Sequence, residues 1–168
     1  EEQFSRKGGN FQMVQLWVNL QAKDKMSKPK YQALKQSELS KVTLPNNEGV
    51  VEVIAGKFND IKGSATTFTP IEMYNAHLTK GGISTYNFPP HYNTALLVIE
   101  GEIKINEQSI ASTDQMVHFK NEGEQFELEA LSNSVILILS GEPINEPIVQ
   151  YGPFLMNTQE EIQRAITD

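Results

Sequence analysis

No uninterrupted apolar run in this chain exceeds five residues, and glycine, proline or asparagine follows most of them within a few positions. That rhythm constrains the fold more than any other feature. Val50 to Ala55 is β-branched and stops at Gly56. Met73 to Leu78 leads to Gly81-Gly82, and Ile83 to Phe88 ends at Pro89-Pro90. Ala95 to Ile99 and Ile103 to Ile105 flank Glu100-Gly101-Glu102, where the glycine suits a tight hairpin or a bulge. Met116 to Phe119, Gln125 to Leu128 and Val135 to Leu139 continue the pattern. Many short strands at regular spacing predict an all-β fold, a jelly-roll β-barrel or sandwich, rather than alternating βαβ units.

Two segments bracket these strands. Near the start, Val14, Leu16, Val18 and Leu20 alternate with Gln15, Trp17 and Asn19, which predicts a strand with one face toward a core. Tyr31 to Leu44 is open between short strand pieces and irregular chain. At the end, Thr158 and Glu161 have capping-box spacing, so a short C-terminal α-helix is expected to begin at Thr158. Its Ile162, Ala165 and Ile166 form the stripe by which it docks. Residues 1–10 read as a flexible start or the remnant of an upstream domain, and residues 11–168 as one domain.

Fourteen basic against twenty-one acidic residues give a net charge of -7, which excludes a positive field for gathering nucleic acid or an anionic membrane. The apolar runs fall far short of the ~20 residues a membrane-crossing helix needs. Without cysteine the chain has no disulfide or thiol chemistry. Lys23, Lys25, Lys28 and Lys30, interrupted by Asp24, read as a solvated loop.

Chemistry is scarce. A metal-dependent cupin barrel carries two histidines separated by one residue, because alternate strand residues point the same way. Here His77, His91 and His118 are isolated from one another, and the stretch after Gly82 offers only His91, beside Pro90, Tyr92 and Asn93. His91 and His118 are expected at strand edges, where a carboxylate would be needed to complete a site. His77 is expected to face away from the core. Ser64, Ser84, Ser109 and Ser140 lack a nucleophile elbow, Glu100 and Glu102 read as a solvated hairpin edge, and Gly8-Gly9 and Gly81-Gly82 lack the context for phosphate. Trp17, Tyr86, Phe88 and Tyr92 are the aromatic side chains available to line a cavity. No catalytic, cofactor or metal residue is assigned.

Four stretches together resemble a known family: QLWVNLQAKDKM at Gln15 to Met26, PKYQ at Pro29 to Gln32, GEPINEP at Gly141 to Pro147, and YGPFLMNT at Tyr151 to Thr158. They are similar to the C-terminal half of the pirin family. The resemblance implies a cupin barrel (a double-stranded β-helix) that is the second of two. Iron is expected in the missing N-terminal barrel and none in this chain. Family members are intracellular, so a cytoplasmic location is implied. Some act as quercetin 2,3-dioxygenases, and eukaryotic members are described as transcriptional cofactors. The resemblance places the start of this chain at the final metal-ligand glutamate that precedes the QLWVNL strand or just past it, so Glu1 is at most a stranded ligand without its histidines.

Two functions compete. In one, the chain is the metal-free, structural half of a dioxygenase, inactive alone, with its own N-terminal cupin domain as partner or a homodimer in its place. In the other, it is a protein-interaction module of a transcriptional co-regulator.

Overall fold

Among the described residues the short runs become strands, ten of them in two facing antiparallel sheets and four in two separate hairpins. In chain order they are β1 (Ser40–Thr43), β2 (Gly49–Ala55), β3 (Lys57–Phe58), β4 (Ile61–Lys62), β5 (Ile71–Leu78), β6 (Ile83–Asn87), β7 (Asn93–Glu100), β8 (Glu102–Ile105), β9 (Ser109–Ser112), β10 (Met116–His118), β11 (Gln125–Ala130), β12 (Ser134–Gly141), β13 (Val149–Tyr151) and β14 (Phe154–Met156). Three α-helices accompany them among the described residues: α1 (Glu2–Lys7), α2 (Ala22–Lys25) and α3 (Gln159–Thr167). The structure, a computed structural model, describes residues 2–9 and 11–167. Glu1 lies outside the described residues.

The larger sheet runs β1-β2-β5-β12-β7-β10 and the smaller β6-β11-β8-β9. Period-2 alternation divides each strand between two faces. On β5, Tyr74, Ala76 and Leu78 are buried inside the barrel, while Met73, Asn75 and His77 stand on the outer face. β11 does the same with Phe126, Leu128 and Ala130 inward and Glu127 and Glu129 outward. The β7–β8 hairpin turns at Gly101, whose φ of 90° and close approach to Ser134 Oγ exclude a Cβ. All eight strands expected from Val50 onward are present.

The Val14 to Leu20 strand is not. Residues 11–21 belong to no sheet, although the alternation is real. A strand requires a neighbour with free backbone groups, and no strand among the described residues forms a ladder with Val14 to Leu20. It crosses the outer face of the larger sheet instead, against Leu97 to Ile99 at one end and Ile71 to Met73 at the other. Val14, Leu16, Trp17 and Val18 are 40%, 41%, 63% and 50% exposed, so both faces of the alternation remain open to solvent.

The C-terminal helix is as expected. Thr158 Oγ1 accepts the Glu161 amide at 3.2 Å, and Glu161 Oε2 accepts the Thr158 amide at 3.0 Å. The docking stripe narrows to Ile162, which is fully buried, because Ile166 is half exposed. The helix packs on the β13–β14 hairpin, a pair that the sequence reading did not anticipate.

Candidate functional site

The barrel interior, where a metal cupin holds its ion, is packed with rings. Tyr86 stacks on Phe126 at 5.2 Å between centroids, Phe126 on Phe119 at 4.4 Å, and Tyr74 on Tyr86 at 6.1 Å. Phe58 and Phe88 complete the cluster. The Tyr74 hydroxyl lies 2.8 Å from the Lys57 carbonyl and 2.5 Å from Glu72 Oε2. Burial pushes both phenols far above the ordinary tyrosine value, and Glu72 pushes Tyr74 further. Tyr86 OH and Ser84 Oγ are buried and lie near one another, short of good hydrogen-bond geometry.

The histidines stay apart from this interior. His91 is exposed in the turn before β7, edge-on to Tyr92 at 5.0 Å. His118 is exposed at the end of β10, opposite Ala95 on the outer face. His77 is on the outer face of β5, near Glu52 and Asn75. Among the described residues no three His, Asp or Glu side chains form a metal-binding group.

One cavity lies outside the barrel. A cleft of about 590 Å³ is bounded by Leu16 to Asn19, by Met73, Ala95 and Leu139 of the larger sheet, and by residues 141–146 and Ile148. Its lining is mainly apolar, with Trp17 and His118 at its border.

Beside this cleft, long-range hydrogen bonds fix the approach of the first residues to the last. Lys25 Nζ donates to Asn19 Oδ1 at 2.6 Å and to the Leu155 carbonyl at 3.2 Å. Glu146 Oε2 accepts the Ala22 amide at 2.7 Å and Asn157 Nδ2 at 3.0 Å. The Asn157 amide donates to Glu161 Oε2 at 2.8 Å, joining this clamp to the cap of α3. Lys25 is therefore a structural tie and not part of a solvated loop, because Asn19 and Leu155 bring two oxygen acceptors to its ammonium. Gln32 makes a second tie. Its side-chain amide exchanges two hydrogen bonds with the Thr66 backbone, at 2.8 and 2.9 Å, as a neighbouring strand residue would.

Residues 73–168 match the pirin C-terminal cupin domain, more than half of the chain. The chain belongs to the pirin family. Human pirin is 36% identical over 160 residues, which cover 92% of this chain and 54% of pirin. A Pseudomonas aeruginosa protein with a provisional quercetin 2,3-dioxygenase name is 37% identical over 167 residues, 99% of this chain and 58% of that protein. Among solved structures, a quercetin 2,3-dioxygenase from Acinetobacter baumannii superposes with a TM-score of 0.86 at 38% identity, covering 90% of this chain and 53% of its own. The chain thus spans little more than half the length of these relatives.

The pirin signature takes on a physical meaning here. Asn19 and Lys25 of QLWVNLQAKDKM, Glu146 of GEPINEP and Asn157 of YGPFLMNT are the clamp residues, and Gln32 of PKYQ is the second tie. Sequence reasoning quoted these stretches without seeing that they touch, since Ala22 and Glu146 are 124 positions apart. Of the aromatic candidates, Tyr86 and Phe88 are core, Tyr92 sits on His91, and only Trp17 borders the cleft.

Proposed function

We propose that this chain is the structural half of a pirin-type protein, in which residues 11–18 and the adjoining outer-face cleft seat an upstream cupin barrel. The observation that carries this reading is the clamp. It holds an apolar segment that joins no sheet against the sheet surface, with Met13 and Trp17 each more than 60% exposed. Such long-range hydrogen bonding beside an exposed apolar segment is consistent with a prepared junction. The relatives' additional length supports a partner in the same polypeptide, and a second copy of this chain would substitute for it in isolation.

Iron, which the family resemblance implies for the upstream barrel, does not fit the interior of this one. Packed rings occupy it, and among the described residues its polar groups are tyrosine, serine and threonine hydroxyls, with the Glu72 carboxylate against Tyr74 and no imidazole. In this reading the chain contributes stability and a wall, while flavonol oxidation belongs to the two-barrel protein.

The test is to compare this chain with a version extended upstream by the length its relatives possess. Stoichiometric iron and quercetin turnover are expected only in the longer protein. One equivalent of iron bound by this chain alone and lost in His91→Ala or His118→Ala contradicts the proposal.

A further inference from the structure

On the outer face of the larger sheet, Glu52 of β2 stands directly opposite Asn75 of β5, and His77 follows Asn75 on the same face. Asn75 Nδ2 lies 3.0 Å from His77 Nε2 and 3.1 Å from Glu52 Oε2, and His77 Nε2 lies 3.4 Å from Glu52 Oε2. Three polar atoms therefore form a closed triangle. Glu52 is only 3% exposed, yet its other oxygen is already satisfied by Lys41 Nζ at 2.9 Å and approached by Gln36 Nε2 at 3.4 Å.

This triangle is frustrated. Burial alone would raise the Glu52 carboxyl, but Lys41, Asn75 and His77 together outweigh it and hold the group below its ordinary value, hence ionised. With Glu52 an acceptor, Asn75 Nδ2 can donate to both neighbours, but His77 Nε2 is then a lone pair facing a carboxylate. If His77 Nε2 carries a proton, it donates to Glu52 and confronts the Asn75 N–H. Turning the amide places Oδ1 against Oε2. No proton assignment satisfies all three contacts. In the present orientation Asn75 Oδ1 is buried and unpaired.

We propose that Glu52, Asn75 and His77 form a binding site for a divalent transition-metal cation of the zinc type, distinct from any site inside a cupin barrel. A cation satisfies three acceptors at once: Oε2 of Glu52, Nε2 of neutral His77, and Oδ1 of Asn75 once its amide turns. Metal–ligand bonds of about 2.0–2.2 Å place neighbouring donors roughly 3.0–3.4 Å apart, the spacing already present. Imidazole with oxygen donors suits this class of ion. The His77 side chain is 41% exposed, giving the ion a route from solvent and leaving coordination positions for water. Lys41 holds the second carboxylate oxygen and fixes the orientation of the first.

Titration of the chain with Zn²⁺ by calorimetry, alongside NMR of the His77 ring nitrogens, tests this assignment. One equivalent is expected to bind with a shift of Nε2. His77→Ala is expected to abolish binding without unfolding, since that side chain is partly exposed. Asn75→Asp, which supplies a carboxylate without an amide turn, is expected to bind at least tenfold more tightly. The proposal is overturned if millimolar Zn²⁺ gives no saturable binding, if binding survives His77→Ala, or if Asn75→Asp weakens it.

Discussion

Asn157 donates to Glu146 at 3.0 Å, and the same carboxylate oxygen holds the backbone amide of Ala22, so one acidic side chain joins the entry of the chain to its terminal hairpin and helix. Two donors converging on an ionised acceptor are worth more than neutral hydrogen bonds. Glu146→Ala should therefore lower stability by roughly 1–3 kcal/mol, leaving the Ala22 amide and the Asn157 side chain without this acceptor. Chemical denaturation measures the loss, and a change within error would mean that the clamp bears no load.

The terminal helix separates capping from burial. Thr158→Ala should cost about 1 kcal/mol through the lost cap. Ile162→Ala should cost more, roughly 2–5 kcal/mol, because Ile162 is buried on the hairpin. Thermal denaturation of both variants checks the order, and an unchanged melting temperature for Ile162→Ala would show that the helix is undocked.

In the barrel, Tyr86 offers a test of the opposite sign. Its hydroxyl is buried with at most the Ser84 hydroxyl beside it, so Tyr86→Phe removes a poorly satisfied group and keeps the ring stack. Stability should rise or remain level. A loss larger than about 1 kcal/mol would reveal a hydroxyl partner inside the barrel.

Alkaline pH should unfold the protein through Tyr74 and Tyr86. Both phenols are raised in the folded state, mainly by burial. The unfolded chain then ionises first, near pH 10, and unfolding releases protons above that point. The stability these groups contribute is complete below about pH 10 and is lost as pH rises toward their folded-state values. Tyrosinate absorbance during titration should show these two phenols ionising only with unfolding. Ionisation of all five tyrosines together near pH 10 in folded protein would contradict their burial.

Much of this architecture was legible because alternation along β5, β7 and β12 reports burial directly. Gly101 and the Thr158–Glu161 spacing also have local causes. The segment from Val14 to Leu20 exposes the limit of such reasoning, since its alternation records compatibility with a sheet but carries no information about a neighbour. The clamp was illegible for a related reason. Asn19, Lys25, Glu146 and Asn157 look like ordinary polar loop residues until the fold closes more than a hundred positions between them. Likewise, His77 looked inert because its partner Glu52 lies on another strand.

Hydrogen exchange at the amides of residues 12–18 tests the central claim most directly. In this chain alone those amides should exchange rapidly, because the segment belongs to no sheet. In a version carrying the upstream half they should become protected, while β5 and β12 remain unchanged. Equal, rapid exchange in both proteins would contradict the account, since the apolar segment would then seat nothing.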